Sequence, residues 1–200
     1  MTIPRPSSTF AALSMAALLA CGGGGGGSTS TPVPAPAPAA PSLAYTDPTT
    51  GTYKLVKDAS SSGSHLVLNL LGPGSGTAMG VSLTLSADTA KLSWVDVPAG
   101  GTTTTLVKNG TQFNLGSGTP IQKAKVSGNV LQVTLAQKNP TPAATLSGTL
   151  LQVALDLKPG LGLASGTALA LSADPIKCQV LDGAGTISPI PVTVGTLAVQ

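Results

Sequence analysis

From residue 43 to its end, the chain repeatedly alternates apolar and polar residues with a period of two. In the longest such run, 151–157, Leu and Val alternate with Gln, Ala and Asp. This period places alternate side chains on opposite faces of a β-strand, one facing a core and one facing solvent. Shorter runs of the same kind cover 66–70, 81–86, 131–135, 169–171 and 192–199, and further strand candidates are Thr52–Lys57, Lys91–Val95, Thr104–Lys108 and Thr111–Leu115.

Clusters of Gly, Pro, Asn and Asp separate the strand candidates, for example Gly72-Pro73-Gly74 and Pro159-Gly160. Asn109-Gly110 lies between two candidates and is the strongest hairpin signal in the chain. Helical periodicity of useful length is absent from the sequence. About nine or ten short strands with frequent turns predict an all-β domain, a two-sheet antiparallel β-sandwich.

Two stretches of this pattern resemble each other. Residues 80–95 align without gaps onto 166–181, where Gly, two Leu, Ser-Ala-Asp and Lys coincide. The similarity has three explanations: two strands in related places of the sandwich, an old internal duplication, or chance in a chain rich in Leu, Ser and Ala.

The first 20 residues follow a different pattern. Phe10–Ala20 is apolar apart from Ser14, and Arg5 is the charge that precedes it. The run is shorter than the roughly 20 residues that span a membrane, and it fits the hydrophobic region of a secretory signal peptide, about 7–15 residues long.

The end of this run, Leu18-Leu19-Ala20-Cys21, resembles the lipobox of bacterial lipoproteins. The resemblance implies cleavage between Ala20 and Cys21, a diacylglycerol thioether on the cysteine, and acylation of its new amino group. Several acyl chains anchor a protein stably to a membrane. The alternatives are an ordinary signal peptide, with Cys21 incidental, and a cytoplasmic protein with an apolar start.

A linker follows the cysteine. Six glycines, Gly22–Gly27, lead into Ser and Thr and then into a Pro-Ala repeat that ends near Pro41. Glycines behave as flexible coil, and the Pro-Ala repeat behaves as a stiffer spacer. We therefore predict a signal peptide at 1–20, a linker at 21–42 within a disordered N-terminal segment, and the sandwich domain at 43–200. The residue directly after the cysteine is Gly22 and not the aspartate that resembles an inner-membrane retention signal. This favours an outer-membrane destination.

The composition excludes some partners. Charged residues are 8% of the chain, against about 25% in typical soluble proteins. The lysines are dispersed and form no basic cluster with interleaved aromatics, so nucleic acid is not an expected partner. Lipidation of Cys21 would leave Cys178 without an intramolecular partner. We expect a buried structural thiol there, and a reactive or intermolecular thiol is the alternative.

Candidate chemistry is sparse. His65 is the single histidine and no G-x-S-x-G motif accompanies it. We expect an exposed or edge histidine, at the point where a loop meets a strand. The chain has too few His and Cys residues for a zinc site, and its dispersed aspartates form no calcium loop. Asp88 and Asp174 are more simply turn-formers at strand ends. We predict no enzymatic activity, no metal and no cofactor.

The segments Gly148–Lys158 and Ile190–Val199 resemble the last strands of cohesin-like, carbohydrate-binding-module-like β-sandwiches. Val81–Asp88 is similar to an early strand of the same family. The resemblance implies a cohesin-like jelly roll. In true cohesins this fold binds dockerin modules.

These observations lead to two hypotheses of function. The first is a non-enzymatic lipoprotein of the bacterial outer membrane, bound to the membrane through Cys21, whose sandwich binds a protein partner or has a structural role. The alternative is a glycan-binding module for envelope polysaccharide. Because aromatic rings stack on sugars, that alternative uses Trp94 and Tyr53 as ligand-binding residues and requires Trp94 and at least one tyrosine on one exposed face. A core position for Trp94 is the competing interpretation.

Overall fold

The computed structural model describes residues 40–100, 105–110, 121–137 and 143–200. These residues form strands and turns and no helix, which confirms the all-β prediction. Three predicted features lie outside the described residues: the cleavage and lipidation site at Ala20 and Cys21, the first part of the predicted linker, and the strand candidate Thr111–Leu115.

The first large sheet has two long central strands that pair antiparallel over seven residues or more of each. The edge strand Val192–Thr193 pairs parallel with its neighbour Tyr53–Lys57, which departs from the antiparallel prediction. In spatial order the strands are β16 (Val192–Thr193), β2 (Tyr53–Lys57), β3 (His65–Leu71), β11 (Thr149–Leu157) and β6 (Leu92–Val95), with β7 (Lys108–Asn109) also paired to β11.

The second large sheet is antiparallel throughout its described pairs. In spatial order its strands are β15 (Ile187–Pro189), β14 (Gln179–Leu181), β5 (Gly80–Ala87), β9 (Val130–Ala136) and β8 (Ile121–Ser127), and β13 (Leu171–Ala173) also pairs with β5. Two small sheets accompany the large ones: β1 (Leu43–Thr46), β17 (Thr196–Val199) and β12 (Ala168–Leu169), and β10 (Ala144–Thr145) with β4 (Thr77–Ala78).

The core lies between the two large sheets, where the apolar members of the alternating runs meet. Leu68 and Leu70 of β3 and Leu83 and Leu85 of β5 are completely buried in one cluster. Burying one such side chain contributes about 1.5–3 kcal/mol. The period-two pattern therefore identified the inward face of both sheets, and the two-sheet sandwich is confirmed.

Three segments meet at Tyr45 on β1. Its hydroxyl donates a hydrogen bond to Leu55 O (2.9 Å) and accepts one from Gly195 N–H (2.7 Å). A Cβ at Gly195 would collide with Thr46 O, so the chain approaches β1 this closely only with glycine there. Gly195 also divides the predicted strand 192–199 into β16 and β17.

The hairpin prediction at Asn109-Gly110 is wrong. Asn109 belongs to β7 and is paired with Leu151 of β11, and Gly110 N–H donates to Leu150 O (3.0 Å). This long-range pairing overrides the local turn preference, because it places the backbone of Gly110 against Thr149, where no side chain fits. In the predicted strand Thr104–Lys108, only Lys108 is in a strand among its described residues.

His65 lies where a loop meets a strand, as expected, because it is the first residue of β3. It is buried there, however, and only 8% exposed. Its Nδ1 lies 2.6 Å from Asp156 Oδ1 on β11, and its Nε2 lies 3.1 Å from Val97 O. Both ring nitrogens thus lie within hydrogen-bond distance of an oxygen atom. The residue is buried because the segment after β6 folds over the outer face of the sheet, where Val97 packs with Val67 and Ala154.

The two similar stretches of the sequence lie side by side. Ser86 of β5 is directly paired with Ser172 of β13 in an antiparallel ladder. Two residues after each serine, an aspartate forms a turn and makes an ion pair with the lysine three residues further along the chain. The distance from lysine Nζ to aspartate Oδ2 is 3.0 Å for Lys91 and Asp88 and 3.5 Å for Lys177 and Asp174. The two stretches occupy related places in one sheet, and the prediction that both aspartates form turns is confirmed.

Candidate functional site: the outer face of the second sheet

The outer face of the second sheet departs from the alternation of apolar and polar residues, because it carries apolar side chains at outward positions. Val81, Leu83 and Leu85 of β5 point into the core, so Gly80 and Ser82 point outward. The strand register then determines which residues of the neighbouring strands share that outer face.

One complete row across this face is apolar. Opposite Gly80 lie Leu181 on one side and Ala136 on the other. Ile187 pairs with Leu181, and Ile121 pairs with Ala136. Because each pair lies directly opposite across its ladder, we call these five residues the apolar row: Ile187, Leu181, Gly80, Ala136 and Ile121.

The two ends of the apolar row are open to solvent. Ile187 is 62% exposed and Ile121 is 38% exposed, while Leu181 and Ala136 are half-buried. Outward positions of a solvated sheet face are normally polar. A contiguous exposed apolar group on such a face marks an interaction site more often than scattered single residues do.

A depression of about 160 Å³ lies over the middle of the apolar row. Gly80, Leu181, Ile187 and Ala136 are among the residues that line it. A Cβ at Gly80 would lie 2.9 Å from both Ala136 Cβ and Leu135 O, which is closer than real Cβ atoms approach. The close approach of β9 to β5 at this point therefore requires glycine. An apolar cavity of about 150 Å³ is large enough to hold benzene, so this one has room for one apolar side chain.

Beside the apolar row the outer face becomes polar and basic. Lys123 pairs with Thr134, which pairs with Ser82, and Lys125 pairs with Gln132. Both lysines are therefore on the outer face, and both are exposed. Two acids lie next to this surface, Asp174 and Asp182. The Asp174 carboxylate accepts hydrogen bonds from the N–H groups of Ile176 and Lys177, which hold its pKa below the usual value, and it also pairs with the Lys177 ammonium. Asp182 directly follows Leu181, and its carboxylate accepts hydrogen bonds from the N–H groups of Ala184 and Thr186.

The two aromatic residues singled out for glycan binding lie in the core. Tyr53 is 7% exposed and Trp94 is 9% exposed. Trp94 Nε1 donates to Asn129 O (3.3 Å), so this side chain connects β6 of the first sheet to the turn before β9 of the second. Neither ring presents an open face for stacking on a sugar. The core position for Trp94 is confirmed.

The other candidate groups do not form a site in the described part of the chain. Cys178 is a completely buried thiol, as expected, and its burial raises its pKa. No three His, Cys or Asp side chains there come together in a way that could hold a metal. Within the described residues, no helix is long and apolar enough to cross a membrane.

No protein-family model matches the chain, and no curated protein matches it. Solved structures do match. The sixth cohesin of Acetivibrio cellulolyticus scaffoldin B, in complex with a Cel5 dockerin mutant, is 20% identical, with a TM-score of 0.52 over 74% of this chain and 97% of that one. The chain has a cohesin-like fold.

Two further cohesins give the same result. A type II cohesin from the cellulosome of the same organism is 15% identical, with a TM-score of 0.54 over 74% of this chain and 94% of its own. A cohesin from a type II cohesin–X–dockerin complex of that organism is 13% identical, with a TM-score of 0.54 over 72% and 95%. These matches confirm the cohesin-like β-sandwich that the strand motifs predict.

The sequence did not reveal the apolar row. Its members belong to five strands that are distant along the chain, and only the register aligns them. One signal was present: Ile121 and Ile187 occupy positions in the alternation where a polar residue is expected. In isolation, single surface isoleucines are ordinary.

Proposed function

We propose that this protein is a non-enzymatic lipoprotein of the bacterial cell envelope, anchored through Cys21, whose cohesin-like sandwich binds a protein partner through the outer face of its second sheet. The observation that carries the proposal is the apolar row with its central depression. A rigid sheet, held by a core of completely buried leucines, presents this row in a fixed geometry.

The fold supports a binding role for the domain. Two of the similar cohesins were determined in complexes with dockerins, which are protein partners of those cohesins. At 13% to 20% identity the likeness carries the fold, so we propose a protein partner for this chain from its own surface and not a particular dockerin.

The anchor part of the proposal rests on the sequence. Leu18-Leu19-Ala20-Cys21 follows an apolar run and precedes a Gly-rich and then Pro-rich linker. Lipid on Cys21 would hold the domain at a membrane, and the linker would let the sandwich reach partners away from the bilayer. Gly22 after the cysteine favours the outer membrane.

Site-specific photo-crosslinking tests the binding face. A photoreactive residue at Thr134, beside the apolar row, should crosslink to one protein in intact envelopes, and Leu181→Asp should abolish that product. The matched controls are a photoreactive residue at Leu161 and the variant Leu161→Asp, since Leu161 is 40% exposed on a loop outside the row. Equal crosslinking from both positions, or crosslinking from Thr134 to polysaccharide, contradicts the proposal.

Replacement of Cys21 tests the anchor. Cys21→Ser should stop incorporation of labelled palmitate and release the protein from the membrane fraction. Cys178→Ser is the matched control and should keep both the label and the membrane association, because that thiol is buried in the folded domain. If Cys21→Ser is labelled and membrane-bound like the parent protein, the anchor is elsewhere.

A further inference from the structure

We propose that the partner of this face is an acidic protein segment, which places one apolar side chain in the depression over Gly80 and its carboxylates against Lys123 and Lys125. This inference rests on the proposed function and specifies the chemistry of the partner at the same face.

The charge on the outer face has one sign. Lys123 and Lys125 are two residues apart on β8, so their side chains point the same way and are spaced about 7 Å apart along the strand. The remaining outward residues of β14, β5, β9 and β8 are uncharged in the described part of the chain: Gln179, Leu181, Gly80, Ser82, Thr84, Ser86, Val130, Gln132, Thr134, Ala136, Ile121 and Ser127. Asp174 and Asp182 lie beside them. The Asp174 carboxylate pairs with Lys177, and the Asp182 carboxylate accepts hydrogen bonds from two N–H groups of its own turn.

Three lysines of the domain have an intramolecular partner: Lys91 pairs with Asp88, Lys177 pairs with Asp174, and Lys158 Nζ donates to Thr89 O (2.5 Å). Lys57 and Lys108 are exposed on the first sheet, away from the apolar row. Lys123 and Lys125 have no ion-pair partner within the described residues. In a chain that is only 8% charged, two uncompensated cations beside an exposed apolar row set the sign of the field at the site. Complementary charge at an interface selects the partner and speeds association.

An anionic membrane surface is the competing occupant of this face. Segments that bind acidic lipid typically carry about 4–8 basic residues, and this face has two. The depression also has room for a single apolar side chain, which a protein can supply and a fluid layer of lipid headgroups does not contain. Both observations favour a protein occupant.

Charge reversal at the two lysines tests the inference in the full-length, lipidated protein. The double variant Lys123→Glu/Lys125→Glu is compared with Lys57→Glu/Lys108→Glu, which makes the same change of net charge at two exposed lysines of the first sheet. The readout is the yield of the crosslink from Thr134 and its dependence on salt. The first double variant should lower the yield roughly tenfold, since two exposed ion pairs are lost and replaced by repulsion. The control pair should leave it unchanged, and added salt should weaken the parent crosslink.

Each outcome decides one question. A wild-type yield from Lys123→Glu/Lys125→Glu, or an equal loss from the control pair, overturns the acidic partner and leaves the binding face intact. No protein crosslink from Thr134 in the parent protein overturns the proposed function itself. A crosslink to phospholipid identifies the membrane as the occupant and overturns this inference. If charge reversal prevents folding, Lys123→Gln/Lys125→Gln is used instead and should give a smaller decrease in crosslink yield. Mass spectrometry of the parent crosslink should place it in a partner peptide that contains Asp or Glu.

Discussion

Replacing Tyr45 by phenylalanine removes one oxygen atom that connects three segments of the sandwich. The ring keeps its shape, so the packing of β1 changes little. The lost atom donates to Leu55 O and accepts from Gly195 N–H. A hydrogen bond contributes about 0.5–1.5 kcal/mol net, and a buried partner left unpaired costs about 1–3 kcal/mol. Gly195 is half-buried, so water can replace part of its bond. We expect Tyr45→Phe to lower the free energy of unfolding by about 2 kcal/mol.

Chemical denaturation measures this loss. The midpoint should fall while the dependence on denaturant stays constant, since the surface exposed on unfolding is unchanged. For a domain of this size the melting temperature should fall by roughly 4–8 °C. Tyr53→Phe is the matched control: Tyr53 is also a buried tyrosine, but its hydroxyl makes no hydrogen bond among the described residues. A loss below about 0.5 kcal/mol in Tyr45→Phe, or an equal loss in Tyr53→Phe, refutes the reasoning.

The same hydroxyl predicts a response to alkaline pH. Burial raises the pKa of Tyr45 from 10.0 to about 12, although the bond from Gly195 N–H lowers it in part. Between these values the unfolded chain has lost the proton and the folded protein keeps it, so stability falls as pH rises. The stability difference between the parent protein and Tyr45→Phe should therefore narrow as pH rises from 10 toward 12. A constant difference contradicts the assignment.

Three further predictions concern buried or bonded groups. Trp94→Phe removes the donor to Asn129 O and part of the core, so it should lower the free energy of unfolding by roughly 1–3 kcal/mol in a denaturation experiment. Iodide should quench the fluorescence of Trp94 far less in the native protein than after unfolding. Efficient quenching in the native protein contradicts the core position. Asp58 accepts hydrogen bonds from Ser60, first of all from its hydroxyl, and from the amides of Asn69 and Gln152, which lower its pKa. Its contribution is therefore present above the ordinary pKa of an aspartate and lost as pH falls, so Asp58→Ala should cost roughly 1–3 kcal/mol at neutral pH and less in acid, whereas a cost that does not depend on pH contradicts the bonding. Cys178 should resist thiol reagents in the folded protein and react after unfolding, since it is completely buried and its pKa is raised by burial; rapid native labelling would place this thiol at the surface.

The sequence predicted the local structure of the sandwich well. Alternation in 66–70, 81–86, 131–135 and 151–157 identified β3, β5, β9 and β11, because one face of each strand is buried and the period of a strand is two. It also identified which side chains form the core. These properties depend on each strand's own residues and not on its neighbours.

The features that depend on long-range pairing were not predictable in this way. His65 is buried because Asp156 and the segment with Val97 close over it, and neither lies near it in the sequence. Asn109-Gly110 has the chemistry of a tight turn, but Asn109 pairs with Leu151 of β11 as part of a strand, and Gly110 N–H bonds to Leu150 O. The apolar row exists only through the register of five strands. A candidate site built from register is therefore the part of the molecule for which a structure was necessary.

Nuclear magnetic resonance of the labelled domain with its crosslinked partner, purified from envelopes, tests the central claim most directly. If the account is correct, amide shifts on binding concentrate on the outer face of the second sheet, around Leu181, Gly80 and Ala136, and those of the first sheet stay unchanged. Shifts centred on the outer face of the first sheet, around Asn69 and Gln152, would show that the partner binds elsewhere and would contradict the assignment of the binding face.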